Sequence, residues 1–378
     1  MNKKFILHVI PSFYPAVKYG GPNINLHKMS LSMSKYQTIK VFTTDKSLNN
    51  KFTNKEISYN KNYKVYYFKI LNNVNSKFYF SLSFIFAYMK ILHKNYVIHL
   101  HTLFQFPCLF IILLNLFIRK DLIISFRGTF TPETLNKNIY RKIYKKFIIL
   151  IFKLIKPKFI FSSKIEYSDF RKICHLKYFD YKIIPNGIDI EQPIFFKKRY
   201  DTKKINLIYF GRLDKKKNIH KIIDNIKEAK NIYLDLYVFI NDSMYFENLK
   251  KIINYEKLNR RIKFKSTFLN INNLKKIVQY YDFSVFLSDK ENFCNSALES
   301  LYFGLPTIMN KNIGLSYYLR ENEEYVNIEN IKNLATILNT YNTNKINNLK
   351  KAVLNKLSSF HFNHISKKHF EFYNITTK

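Results

Sequence analysis

The sequence predicts an α/β protein of two domains, the second built on a doubly wound parallel sheet. Three observations carry this. Short apolar runs alternate with helix-like segments along most of the chain. A Pro-Asn-Gly turn inside Ile183–Asp189 punctuates it near the middle. And 378 residues are enough for two substantial cores.

In order, Phe5–Ile10 reads as a short buried strand and Pro11–Lys18 as a loop. Gly20-Gly21-Pro22 then leads into a helix from about Asn23 to Lys35. Glycines ahead of a helix N-terminus let the backbone approach an anion, although Gly-Gly-Pro is also an ordinary turn. Ile39–Thr44 and Tyr63–Ile70 are further strands, and Phe78–His93 is an aromatic helix. Tyr96–Thr102 alternates, so His99 and His101 share a face, either packed at a strand end or turned to a ligand. The run Leu103–Ile118 holds Gln105, Pro107 and Asn115 and falls short of the ~18–20 apolar residues of a membrane span. It reads as a buried or interfacial helix. Leu122–Phe126 is a strand ending in Arg127-Gly128. An arginine cannot serve as a base near neutral pH, so Arg127 suits phosphate or acceptor binding. The Ile139–Ile155 helix carries Arg141, Lys142, Lys145, Lys146 and Lys153 among apolar residues. Such a stripe is a solvated face or a helix lying on an anionic membrane. Phe159–Ser163 is a strand, followed by Glu166.

Ile205–Phe210 opens the second domain as a strand, and Gly211-Arg212-Leu213-Asp214 with Lys215–Asn218 forms a basic loop before a helix at Ile219–Ala229. Helix N–H groups, a bidentate Arg and a Lys point charge make that loop either a phosphate site or a solvated basic turn. Strands at Ile232–Phe239 and Arg261–Lys265 alternate with helices at Met244–Tyr255 and Ile271–Tyr280. Tyr281–Leu287 is an apolar run that stops at a polar loop carrying Glu291. Asn292-Phe293-Cys294-Asn295 links that loop to a helix, Ser296–Phe303, on which Glu299 lies. Gly304 ends the helix and Pro306 starts the next apolar run. In parallel sheets ligands gather at such strand-to-helix loops. Ile328–Tyr341 and Asn344–Tyr373 look helical.

Lys and Arg outnumber Asp and Glu by 63 to 26, a formal charge of +37. The lysines are spread along the chain with abundant Asn and Ile, which weakens a nucleic-acid reading and leaves anionic partners in general. Cys108, Cys174 and Cys294 show neither metal-ligand spacing nor even pairing, as in a cytosolic, thiol-reduced protein. Pro11, Pro15 and Lys18 interrupt the first apolar run too soon for a signal peptide. No Asp-x-Asp stands where it would hold a metal.

Glu291-Asn292-Phe293-x-Asn295, then Glu299 and Gly304-Leu305-Pro306, resembles the signature of retaining, nucleotide-sugar-dependent glycosyltransferases of family 4 (group 1). Gly20-Gly21, His99-x-His101, Arg127-Gly128, Ser163-x-x-Glu166, Pro185-Asn186-Gly187 and Gly211-Arg212-Leu213 with Lys217 follow the family's order, so the resemblance covers nearly the whole chain. It implies the GT-B fold: two facing Rossmann-like domains, an interdomain cleft, and a C-terminal helix crossing back. The bounds expected are an acceptor-binding domain over 1–190, a linker over 191–203, a nucleotide-sugar domain over 204–355 and the returning helix over 356–378. The activity implied is metal-independent hexosyl transfer from a UDP- or GDP-sugar, with no cofactor beyond that co-substrate. Arg212 and Lys217 would hold the pyrophosphate, with Gly20, Gly21 and Gly211 against the donor. Glu291 would orient the donor sugar and Glu299 the ribose, flanked by Asn292, Phe293 and Asn295. His101 joins the catalytic group and Arg127 the acceptor side. The family more often has Gly at Asn292, Cys294 and Asn218. The acceptor expected is a glycan or lipid-linked glycan of the cell surface, made by a cytoplasmic enzyme peripheral to the membrane; no nucleic acid is expected. A nucleotide-sugar epimerase on the same fold and a non-catalytic basic adaptor are the alternatives.

Overall fold

In the computed structural model, which describes residues 5–16, 21–46, 54–71, 78–189, 203–265, 269 and 271–375, the chain forms two units. One holds the residues up to Asp189 together with His361 onward, and the other is Ile190–Phe360. Most of the expected linker, residues 191–202, lies outside the described residues.

The first unit runs β1 (Phe5–Val9), α1 (Gly21–Met33), β2 (Ile39–Thr44), β3 (Glu56–Asn60), β4 (Tyr63–Phe68), α2 (Leu82–Met89) and β5 (Tyr96–His101). It continues with α3 (Phe106–Ile118), β6 (Leu122–Ser125), α4 (Pro132–Leu135), α5 (Ile139–Ile155), β7 (Lys158–Phe161), α6 (Lys164–Ile173) and β8 (Tyr181–Ile183). The eight strands are ordered β3-β4-β2-β1-β5-β6-β7-β8, all parallel except β3. β1, β5 and β6 read FILHV, YVIHLH and LIIS and are buried throughout, as strands covered on both faces must be. The antiparallel edge β3 instead alternates exposed and half-buried residues, which blunts the edge. On one face, Phe84, Ile112, Phe152 and Phe170 of α2, α3, α5 and α6 join the strand side chains in one core; Leu26 and Met29 of α1 cover the other. No described helix is long and apolar enough to cross a membrane.

The second unit runs β9 (Ile205–Leu213), α7 (Ile219–Ile226), β10 (Ile232–Ile240), α8 (Ser243–Tyr255), β11 (Ile262–Lys265), α9 (Ile271–Ile277), β12 (Phe283–Phe286) and α10 (Asn295–Tyr302). β13 (Thr307–Met309), β14 (Val326–Asn327), α11 (Leu334–Asn339) and α12 (Thr343–Lys356) complete it. Its six-stranded parallel sheet has the order β11-β10-β9-β12-β13-β14. Strand order therefore reverses beside β9, where β12 pairs with it, and the loops leaving these two strands flank the switch point.

The helix expected over Asn344–Tyr373 is broken. After α12 a short 3-10 turn, Leu357–Phe360, leads to His361, whose ring accepts from the Asn363 N–H (3.2 Å) and starts α13 (Phe362–Phe372). Side chains that bond nearby backbone end one helix and cap another. Phe362, Ile365, Phe370 and Tyr373 then pack beside α1 in the first unit's core. Likewise, of Ile328–Tyr341 only α11 is helical, because Asn330 caps a turn by accepting from the Lys332 N–H.

Gly187 lets α13 dock. The Phe362 N–H donates to Ile188 O (3.2 Å), and a Cβ on Gly187 would fall 2.5 Å from Phe362 Cδ1. Phe362 is buried and has no room to withdraw. Gly187→Ala is therefore expected to destabilise the protein by about 1–3 kcal/mol. Urea unfolding would show it, with part of the loss recovered when Phe362→Leu is added.

Candidate functional site

The basic loop after β9 and the acidic loop after β12 are bonded into one structure at the switch point. Asp214 Oδ1 accepts from the Lys216 N–H (3.0 Å), which shapes a 3-10 turn over Lys215–Lys217. Lys216 O in turn accepts from the Asp289 N–H (2.9 Å). Asn218 stands in the left-handed region at φ 58°. Its amide donates to Leu287 O (2.9 Å) and to Asp289 Oδ1 (2.7 Å). Asparagine thus meets the backbone requirement that favours glycine here and ties the two loops together with a side chain glycine lacks. Gly211 has φ 142°, and a Cβ there would meet nothing closer than 3.7 Å, so conformation and not space calls for glycine.

Lys217 and Glu291 form an ion pair, each side chain about four-fifths buried. Burial holds the Lys217 ammonium below its usual range, and Arg212 lowers it further, while Cys294 and Asp214 act the other way. Glu291 is fixed through its backbone: its N–H donates to Asn312 O (3.0 Å) and its carbonyl accepts from the Gly314 N–H (2.9 Å). Ser288 Oγ reaches Glu291 Oε1 at 3.4 Å. Arg212 lies at the end of β9 with its side chain exposed, and Tyr209 OH donates to its carbonyl (2.9 Å).

Phe293 is buried and Asn292 carries a buried side-chain N–H group without a partner among the described residues. Cys294 precedes α10 at φ 75°, which explains why a glycine suits this position. Burial raises its thiol and the Glu299 charge adds to this; Lys217 opposes, so it does not stand as a thiolate. Asn295 opens α10 and Glu299 follows one turn on, partly exposed.

The first-unit candidates are arranged differently. Gly21 begins α1, whereas Gly20 lies outside the described residues. His101, expected with the catalytic group, has a fully buried ring with both nitrogens engaged. Arg127 Nε donates to His101 Nδ1 (3.2 Å), and His101 Nε2 lies 3.0 Å from His8 Nδ1. Arg127 Nη1 donates to Asn186 Oδ1 (3.1 Å). Buried Glu166 accepts from the Gly128 N–H (2.9 Å) and from the Ser162 N–H (2.7 Å) and hydroxyl (2.8 Å), pinning the loop that presents Arg127. Residue reading alone gave no role to His8, Asn186 or Ser162; the Ser-x-x-Glu spacing was the one available signal.

His8, His99 and His101 put ring nitrogens within 4.8 Å of one another, close enough to gather a cation. Their protons argue otherwise. Arg127 can only donate, so His101 Nδ1 accepts and Nε2 carries the hydrogen toward His8. His99 spends its nitrogens on Tyr373 OH (2.6 Å) and Ser125 Oγ (2.8 Å). A neighbouring guanidinium also repels a metal ion. Arg127, His101 and His8 form a proton-ordered chain, with the His99 ring packed beside it.

Two doubly wound sheets, the second with a cationic loop and a glutamate at its switch point, define a protein of the GT-B class. Solved structures agree in fold. Sucrose-phosphate synthase from Thermosynechococcus elongatus aligns at TM-score 0.76 and 15% identity, covering 98% of each chain. HepE from Anabaena in complex with UDP-glucose aligns at 0.72 and 16%, covering 98% of this chain and 99% of its own. A glycosyltransferase from Rickettsia africae gives 0.73 and 14%, with 99% and 98% covered. No curated protein matches the sequence. Residues 191–354 match the family "Glycosyl transferases group 1". The second unit is therefore matched along most of its length by that family, and the chain as a whole shares the GT-B fold of the solved structures.

Proposed function

We propose that the protein is a retaining, metal-independent transferase. It moves a hexosyl group from a UDP- or GDP-sugar to an acceptor hydroxyl in cell-surface polysaccharide or lipid-linked glycan synthesis. The observation that carries this is the pairing of Lys217 with Glu291 at the β9/β12 switch point, beside Arg212. As the bond from the anomeric carbon to the diphosphate oxygen breaks, negative charge grows on that oxygen. Arg212 and Lys217 supply fixed positive charge there without a divalent ion. Glu291 accepts from donor-sugar hydroxyls and Glu299 from the ribose, since a carboxylate can take two such bonds. The raised thiol of Cys294 makes it no candidate nucleophile, and no glycosyl-enzyme is proposed. The structure of HepE with UDP-glucose favours a UDP-sugar donor. The enzyme works at the cytoplasmic face of the membrane, and nucleic acid is no partner.

A thermal-shift screen with UDP- and GDP-sugars on wild type and Glu299→Ala tests this. One base should stabilise wild type, by about 2.7 kcal/mol at a hundredfold excess over Kd, and Glu299→Ala far less. Binding of no nucleotide sugar would remove the reading and favour the adaptor alternative.

A further inference from the structure

α5 has two apolar faces, and only one is used. Ile148, Ile151 and Phe152 are buried in the first unit's core, and Tyr144 OH donates to Leu103 O (2.7 Å). On the outer side Ile139, Tyr140, Ile143, Phe147, Leu150 and Leu154 stand 44 to 80% exposed. Spacings of three and four put Ile143, Phe147, Leu150 and Leu154 on one continuous stripe. A soluble helix of this kind would carry polar residues there. We propose that this outer face of α5 is a docking surface for an anionic lipid bilayer.

The cations single out lipid over protein. α5 contains no acidic residue. Arg141 is occupied by the Phe104 ring (4.7 Å) and Lys145 by Asn136 Oδ1 (3.1 Å). Lys142, Lys146 and Lys153 are exposed between the apolar residues and, among the described residues, have no side-chain partner. Lysine is depleted where proteins bury surface against each other, but it lies readily along a membrane, stem in the interface and ammonium at the headgroups. A second copy of this chain across a two-fold axis would bring the same lysines against themselves. Apolar side chains with interspersed lysine and no acid are what an interfacial helix on an anionic leaflet requires. Phe117 of α3, which packs beside α5, is 81% exposed and extends the apolar area.

This deepens the peripheral placement proposed above and rests on it, yet it is tested apart from the chemistry. The full chain would be floated with vesicles of phosphatidylcholine alone and with a minority of phosphatidylglycerol. Binding is expected only to the second. Ile143→Ser/Phe147→Ser/Leu150→Ser should weaken it about tenfold or more. Lys142→Glu/Lys146→Glu/Lys153→Glu should cost at least roughly fivefold per lysine. All six positions are exposed, so the wild-type melting temperature and any nucleotide-induced shift should persist in both variants. Equal binding to neutral vesicles, no binding, or an unaffected serine variant overturns the proposal. So does a dimer in sedimentation equilibrium that the serine variant abolishes, which would assign the face to a second copy. A nucleotide screen without hits alongside anionic-vesicle binding would sink the transferase reading and leave the surface standing.

Discussion

Lys217→Met should lower the rate of sugar transfer by about 10²–10³-fold, the cost of removing one preorganised charge from a developing anion. The case rests on position. Lys217 is four-fifths buried, held in a turn that Asp214 and Asn218 shape, and paired with Glu291. Burial depresses its pKa, which marks an ammonium poorly served by water and therefore strongly responsive to an arriving diphosphate. Methionine keeps the stem and removes the charge. Glu291 would lose its partner while keeping Ser288 and some access to water, so stability should fall by roughly 1–3 kcal/mol, less than for a fully buried pair. Single-turnover transfer with the nucleotide sugar that stabilises wild type provides the readout. Equal losses in kcat and kcat/KM would place the charge in the transition state, whereas a rise in KM alone would make Lys217 a ground-state anchor. A rate within threefold of wild type would remove Lys217 from the chemistry.

Lys217 and Glu291, assigned above to the diphosphate and the sugar of the donor, pair with each other. A diphosphate would compete with Glu291 for Lys217, and the freed carboxylate would then be available to sugar hydroxyls. In the function proposed above, the ion pair would keep two buried charges from standing uncompensated until the donor arrives.

The second unit was far more legible than the first. Its βα alternation reads directly from apolar runs and turn residues; in the first unit, Ile39–Thr44 and Ile139–Ile155 fall where periodicity puts them. β3, β8 and β14 escaped because an edge strand of alternating polarity and strands of two or three residues leave little signal. At the site, Arg212, Lys217 and Glu291 are visible as charged residues at strand ends. The bond from Asn218 to Asp289 is not, since it joins residues 71 apart. The partners of His99 and His101 are hidden for a related reason: alternation puts both on one face, but only the fold shows that β1, β6 and Tyr373, just past α13, supply partners to the two buried rings.

Those histidines should make the stability of the protein steeply dependent on pH. His8, His99, His101 and His369 are buried, and burial lowers each well below its ordinary value, with Arg127 adding to the effect for all four. For His8 the value falls to about 3. The hydrogen order explains why no member accepts a proton easily. Arg127 fixes the His101 tautomer, His101 donates to His8 Nδ1, and the remaining His8 hydrogen, on Nε2, is buried without a partner among the described residues. In the unfolded chain these groups titrate near 6.5. Between that pH and the depressed folded value, the unfolded state binds more protons, so unfolding free energy rises with pH. The stability is complete above about pH 6.5 and is lost as pH falls toward the folded values. Each histidine contributes a slope of up to about 1.4 kcal/mol per pH unit, and four together up to about 5, against a typical total of about 5–15. Denaturant unfolding from about pH 7.5 down to about 5 should show a steep loss, above the range where carboxylates titrate. His8→Asn keeps an acceptor for His101 Nε2–H while removing one titrating group, so its slope should be shallower by up to about 1.4 kcal/mol per pH unit. Parallel curves for wild type and His8→Asn would mean that His8 is charged in the folded protein, and the proton order assigned to the Arg127 chain would fall with it.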